Sequence, residues 1–441
     1  MEFEYSDDQK NAIKTFMKFL VNPKEKFMII QGNAGTGKST MIKAMIEAMN
    51  KEYKLLQTLL CQNPEEDKFE IILSATTNKA AAVLCELSNN QTVRTIHSTL
   101  GLALKKNFHT GTEDLVKTSR WMPLNNTILI MDEASMLDQI TFDYMNEALI
   151  GKSKAVLIGD VFQLAPIKQK KSTMQTMLHN IPTATMNKVL RHGGSILEAA
   201  NAFREVVKTN CFEDILLSDA IIHIDGPSFK KEVDTAFLDP KYTPEKAKIL
   251  AWSNDRVQEY NRYLRKARGL GEQFQKEESV VTNNPIINDG HLIPVDTEVK
   301  ITHVYGETIK HKVNGQEVII NGIITAFLPD NYKDAKILMK KLAKEANSKE
   351  IQNDPKRKKE LWEEYFNIKD TWLDLRSQYA STVHKAQGSS YDKVFIDLDD
   401  IGRCNIASDV ARMLYVAISR AKKKVILSGT LPEKYRSKIA A

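Results

Sequence analysis

Two α/β units on parallel sheets, only the first with a glycine-rich phosphate loop, are predicted by three features of the sequence. Gly32-Asn33-Ala34-Gly35-Thr36-Gly37-Lys38-Ser39 reads G-x-x-x-x-G-K-S, between an apolar run at 27–30 and helix-spaced Met41, Ile42, Met45, Ile46 and Met49. A second apolar run, 127–131, ends in the carboxylates Asp132 and Glu133. Strands at 248–253, 393–398 and 424–428 then alternate with helices at 255–268 and 413–418, with no second loop of this kind.

The first element is a helix opened by Ser6, with Gln9 at the capping-box position and Ile13, Phe16, Met17 and Leu20 on its buried face. In the glycine loop, backbone N–H groups can crowd around phosphate oxygens, and the following helix N-terminus adds positive potential. Lys38 is placed to reach the β and γ phosphates, and Ser39 to ligate Mg²⁺. The polar stretch 51–68 reads as helix end and surface loop. Residues 70–75 form the next strand, followed by Thr76-Thr77-Asn78-Lys79 and an Ala-rich helix to Leu87. Those four polar residues lie at a strand's carboxyl end, where they either cap the helix or bind phosphates. His97, alone in Thr95-Ile96-His97-Ser98, reads first as a structural histidine.

Residues 102–126 leave the sheet pattern. They read as a small hairpin excursion with Phe108 either at an exposed tip or in a satellite cluster packed on the main core. Asp132 is placed to hold Mg²⁺ through water, and Glu133 to orient and deprotonate an attacking water. Gln163 follows the strand 154–160, where a γ-phosphate sensor can lie. Ser195 caps a helix over 196–207. Arg191 and Arg420 are candidates for arginine fingers, against a solvated-charge reading for any single arginine. Between strands of the second unit, residues 298–327 alternate apolar and polar, with hairpin turns expected at Asn314-Gly315 and Asn321-Gly322. Residues 332–365 turn helical and charged, and Lys356-Arg357-Lys358-Lys359 reads as a solvated helix face.

Composition fits a soluble multidomain protein: 441 residues, 42% hydrophobic and 27% charged. A net charge of +6 permits nucleic acid as a partner without requiring it. The four cysteines are widely spaced, which argues against a disulfide framework or zinc site and for a reducing cytoplasm. The acidic N-terminus has no signal-peptide core. No apolar run approaches the roughly 18 residues of a membrane span.

Five motifs in order carry a family resemblance: the loop at 32–39, Asp132-Glu133-Ala134-Ser135, Gly159-Asp160-Val161-Phe162-Gln163-Leu164, Ser381-Thr382-Val383-His384-Lys385-Ala386-Gln387-Gly388-Ser389, and Leu414-Tyr415-Val416-Ala417-Ile418-Ser419-Arg420-Ala421. The chain resembles superfamily 1 DNA helicases of the RecD/Dda branch. The resemblance implies RecA-like domain 1A (1–98 and 121–190), pin insert 1B (99–120), RecA-like domain 2A (191–285 and 376–441) and an SH3-like β-barrel insert 2B with a charged helical arm (286–375). It implies nucleotide contacts from Gln9, Gly32, Ala34, Gly35, Thr36, Gly37, Lys38, Ser39, Thr40 and Gly388. Lys38, Glu133, Gln163, Arg191 and Arg420 would be catalytic, with Mg²⁺ at Ser39 and Asp132. DNA contacts would come from Thr76, Thr77, Asn78, Lys79, Thr95, His97, Thr382 and His384, and Phe108 would be the wedge of the pin. The implied activity is ATP-driven translocation on single-stranded DNA, 5′ to 3′, with unwinding of forked duplexes. Single-strand-binding or replication proteins are the implied protein partners, the implied state is a monomer, and the implied setting is replication, repair or recombination in a bacterial or phage-infected cytoplasm. A DNA-stimulated ATPase that translocates without separating strands keeps the same ATPase residues but needs no pin. A P-loop GTPase would need a guanine-reading N-K-x-D, which the sequence lacks.

Overall fold

The first half of the chain builds a six-stranded sheet in the order β10-β1-β9-β7-β2-β3, every pairing parallel. The computed structural model describes residues 5–33, 35–53, 69–88, 93–166, 172–178, 180–187, 194–288 and 291–436. In chain order the first half runs α1 (Asp7–Val21), β1 (Phe27–Gly32), α2 (Lys38–Ala48), β2 (Glu70–Ala75), α3 (Asn78–Leu87), β3 (Arg94–Thr95) and α4 (Ile96–Thr99). A hairpin, β4 (Leu102–Asn107) and β5 (Thr112–Lys117), follows. Then come β6 (Leu124–Asn125), β7 (Thr127–Asp132), α5 (Gln139–Ala148), β8 (Leu149–Ile150), β9 (Lys154–Gly159), α6 (Thr173–Met177) and β10 (Thr183–Met186). Both β7 and β9 are buried along their whole length, as strands covered by helices on two faces must be. A charged residue opens β9. The Lys154 amine lies 4.7 Å from the Phe19 ring centroid and donates to the carbonyls of Asn22 and Glu25 at the sheet's end, while burial lowers its pKa.

The second half builds a five-stranded parallel sheet in the order β11-β22-β21-β12-β20. Its elements are α7 (Ser195–Thr209), β11 (Ile221–His223), α8 (Gly226–Phe237), β12 (Ala247–Ala251) and α9 (Asn254–Ala267). After an insert come β20 (Ala380–Thr382), β21 (Tyr391–Asp397), α12 (Leu398–Gly402), α13 (Ala407–Ser419) and β22 (Ala421–Ser428). Gly194, not Ser195, is the cap residue of α7, and its φ of 81° is one a side chain would resist. Helix α13 begins well before residue 413, because Val410 and Ala411 continue its buried face.

The insert comprises β13 (Ser279–Thr282), β14 (Ile286–Asn288), β15 (His291–Ile293), β16 (Glu298–Lys310), β17 (Val313–Ile320), β18 (Ile324–Pro329), α10 (Tyr332–Ala346), α11 (Pro355–Thr371) and β19 (Leu375–Arg376). Five strands, β18-β17-β16-β13-β19, form one antiparallel sheet, so the insert's sheet starts ahead of residue 286. Asn321-Gly322 makes the expected turn, with φ of 52° and 79°. Asn314-Gly315 does not. Those residues are paired within β17, and the turn before it falls at His311 and Lys312, with φ of 52° and 61°. Gly315 serves packing instead: a Cβ there would lie 2.2 Å from the Leu328 carbonyl oxygen and 2.4 Å from the Trp372 ring.

The β4–β5 hairpin leans on the arm formed by α10 and α11. Phe108 is half-buried in the arm's apolar cluster, edge-on to Phe366 at 5.6 Å. This corrects both expectations: the ring is neither at an exposed tip nor packed on the main core, but rests on the arm. Gly111 lets the hairpin approach, since a Cβ would sit 2.3 Å from the Trp362 ring. Ion pairs Lys106–Asp370 and Lys369–Glu113 flank the contact. On the outer face of α11, Arg357 pairs with Glu345 and Glu360, and Lys359 with Glu363, which fits a solvated face.

Candidate nucleotide site and inter-sheet seam

Strands β1, β9 and β7 are neighbours, so their carboxyl ends bring the glycine loop, Gln163 and the two acids to one edge of the first sheet. Gly35 and Gly37 have φ of 82° and 81°, which the loop's turns require. Lys38 folds back over the loop, its amine donating to the Gly32 and Asn33 carbonyls at 2.9 and 3.1 Å. The Thr36 hydroxyl donates to the Asn33 carbonyl at 3.0 Å. Ala34 and Arg191, and the side chain of Ser39, lie outside the described residues.

Asp132 ends β7 buried, and its carboxylate accepts the Glu133 N–H at 2.8 Å. Burial and then the Glu133 charge push its carboxyl up to about 6, against the pull of Lys38. Glu133 has left-handed backbone, φ 52° and ψ 34°, and the Thr76 hydroxyl donates to its carbonyl at 3.0 Å. Buried Glu133 Oε2 and Asn33 Oδ1 have no protein partner among the described residues. A buried, desolvated Asp132 beside an unpartnered carboxylate oxygen fits a hydrated divalent cation and a water.

Gln9 serves the cap: its Oε1 accepts the Ser6 N–H at 2.9 Å, while its buried Nε2 has no partner among the described residues. Thr77 caps α3, accepting from Ala80 N–H at 3.2 Å. Thr95 caps α4, and the neighbouring His97 ring bonds the Thr141 hydroxyl at 3.2 Å with its pKa lowered by burial. Asn78, Lys79, Thr382, Gly388 and Tyr391 line a cavity of about 890 Å³ between the sheets, with Lys248 in its wall. Burial, then the charge of Lys79, brings the Lys248 amine down to about 7. His384 is half-buried and its pKa is lowered by burial, against the charge of Asp409.

A polar seam joins the sheets, and most of it was missed from the sequence. Gln387 Nε2 donates to Gln163 Oε1 at 3.1 Å. The Tyr415 hydroxyl donates to Asp160 Oδ2 at 2.5 Å. Arg412 donates to the carbonyls of Val161 and Gln163 at 2.6 and 2.5 Å. Phe162 inserts toward the second unit's core beneath Arg204, 4.5 Å from ring centroid to guanidinium carbon. Gly388, φ 76°, faces Glu133, whose Oε1 would lie 3.9 Å from a Cβ built there. Arg420 is turned into its own unit, bonding the carbonyls of Val416 and Ser389 and the Ser419 hydroxyl. An Arg and a Tyr among the apolar residues of α13 from Val410 to Ile418 were the available signal for the missed residues.

The sequence matches the family described as AAA domain over residues 4–221 and the UvrD-like helicase C-terminal domain over 377–428. The ATP-dependent DNA helicase dda of Enterobacteria phage T4 is 25% identical over 469 aligned residues, covering 96% of this chain and 98% of that one. The chain is similar to superfamily 1 helicases of the RecD/Dda/Pif1 kind. It is also 32% identical to the RecBCD enzyme subunit RecD of Buchnera aphidicola over 158 residues, which is 32% of this chain and 23% of that protein. A solved structure of Pif1 helicases at forked DNA shares its fold, with a TM-score of 0.50 at 16% identity over 98% of this chain and 94% of that one. The two parallel sheets are RecA-like in fold.

Proposed function

We propose that this chain is an ATP-driven DNA helicase, which moves on single-stranded DNA and parts a duplex. The observation that carries this reading is the position of the acids: Asp132 ends a strand of the first sheet, and Glu133, one residue on, faces Gly388 of the second unit. ATP bound by the glycine loop would therefore lie where the two units meet. Lys38 would leave the loop carbonyls for the phosphates, and Glu133 would hold and deprotonate the attacking water. Asp132 and Ser39 would hold Mg²⁺, which when bound would supply charge neutralisation on the phosphates. Loss of the γ-phosphate is then felt across the seam through Gln163 and Gln387, and the cleft relaxes.

Single-stranded DNA would run along the cavity past Asn78, Lys79 and Thr382, gripped by its phosphates with little base preference. The domain bounds, the SH3-like character of insert 2B and 5′-to-3′ movement are carried over from the resemblance. Arg191 and Arg420 are proposed as γ-phosphate arginines on the same ground. The β4–β5 hairpin is the proposed pin, and the arm that packs on Phe108 supports it as a braced element.

Unwinding of a labelled forked duplex tests the reading. The expected result is ATP-dependent separation that needs a 5′ single-stranded tail and is lost in Lys38→Ala. Separation that needs a 3′ tail would overturn the direction. Hydrolysis on single strands without any separation would leave a translocase.

A further inference from the structure

The loop from β20 to β21 carries Gln387 and Gly388 against the first sheet, and its Lys385 turns to the insert, where it lines the inter-sheet cavity with Asn283 and Asp296. The Lys385 amine bonds Asn283 Oδ1 at 2.5 Å and Asp296 Oδ1 at 2.8 Å. Both partners belong to the insert and flank the β14–β15 hairpin. Each is itself fixed. Asn283 donates to Asp374 Oδ2 at 2.7 Å, and Asp374 is paired with Arg376, whose guanidinium also bonds Asn254. Asp296 has φ 59° and donates its N–H to the Thr282 carbonyl at 2.8 Å. The loop is internally bonded as well. Ala386 N–H donates to the Thr382 carbonyl, Gln387 N–H to His384, and Ser389 N–H to Ala386. A segment tied to itself in this way moves as one piece.

We propose that Lys385 is a positioning residue that couples the nucleotide state of the cleft to the insert, a role that rests on the helicase reading above. Gln387 bonds Gln163 and Gly388 faces Glu133, so a change of the cleft with nucleotide state moves this stiff loop and, through Lys385, Asn283 and Asp296. Asp374 lies two residues beyond Trp372, on which the arm is built, and the arm's α11 carries Asp370, Lys369 and Phe366 against the hairpin. One amine thus joins the ATP-facing loop to the body that holds the arm. Its removal should cost coupling rather than chemistry.

The test measures base pairs opened per ATP hydrolysed on a forked duplex, beside single-strand-stimulated ATPase and single-strand affinity. Full-length wild type, Lys385→Met, Lys385→Arg and Asp296→Asn are compared. With single-stranded DNA at saturation for each variant, the stimulated kcat and the KM for ATP of Lys385→Met should stay near wild type, while base pairs per ATP fall about threefold to tenfold. Asp296→Asn should fall in the same direction, and Lys385→Arg should recover most of the yield. A yield unchanged in Lys385→Met overturns the proposal. So does a loss explained by weaker DNA binding, which would make Lys385 a DNA contact. So does a parallel loss of ATPase that Arg does not rescue, which would make it a structural residue. Wild type without DNA-stimulated hydrolysis would instead overturn the helicase reading, and this proposal with it.

Discussion

Glu133 occupies a backbone conformation that a non-glycine residue adopts at a cost of about 1–3 kcal/mol. The Asp132 carboxylate and the Thr76 hydroxyl, bonded to its N–H and its carbonyl, hold it there. The gain is direction: the side chain leaves the strand end with Oε2 buried and without a partner among the described residues, where the proposed attacking water would be held. Glu133→Gln is accordingly expected to keep nucleotide binding while hydrolysis falls about 10²- to 10⁴-fold, read by nucleotide titration beside steady-state ATPase. Lys248 makes a different prediction. Its folded pKa, about 7, is far below that of the unfolded chain, so above pH 7 the unfolded state binds the extra proton. The penalty is complete below pH 7 and is relieved as pH rises through the folded value toward the unfolded one. Melting curves from pH 6 to 9 should show wild-type stability gaining over Lys248→Met, by at most about 1.4 kcal/mol per pH unit. Parallel curves would mean that Lys248 keeps its charge at neutral pH.

At the scale of the element, legibility followed the range of the interaction. The glycine loop, the capping box at Ser6 and Gln9, and the apolar strands ending in acids are local patterns, and each element formed about where its pattern lay. Gly315 misled because a glycine beside an asparagine signals a turn, whereas here it yields room to Leu328 and Trp372 across the insert. Phe108 carried the same ambiguity. Its partner Phe366 is remote in sequence, so no local pattern could say that the hairpin rests on the arm. The packed ring predicts bracing. Phe108→Leu, which keeps an apolar contact with the arm, should retain most unwinding, while Phe108→Ala should lose it with single-strand-stimulated ATPase preserved. A wedge that stacks on bases would instead lose function in both variants, because stacking needs the ring.

At the scale of the molecule, two parallel sheets meet along a seam that is polar and buried. Asp160–Tyr415, Gln163–Gln387 and Arg412 on the Val161 and Gln163 carbonyls all join the segment after β9 to the second unit. Each bond is worth most where water is excluded, and each needs both units in register, so the seam behaves as a contact that is made or lost as a set. The sequence exposed one side of it, Gln163 at a strand end. The other side was hidden because Arg412 and Tyr415 sit in a helix whose remaining buried face is apolar, and their partners are far away in the chain. In the proposed mechanism ATP, held on the first sheet, is sensed by the second, and DNA in the cavity between them changes how fast it is hydrolysed. The most direct test is ATP hydrolysis with and without single-stranded DNA, beside Lys38→Ala. The account predicts strong stimulation that vanishes in the variant. Hydrolysis indifferent to DNA would contradict it, because the cleft would then close without reference to the strand.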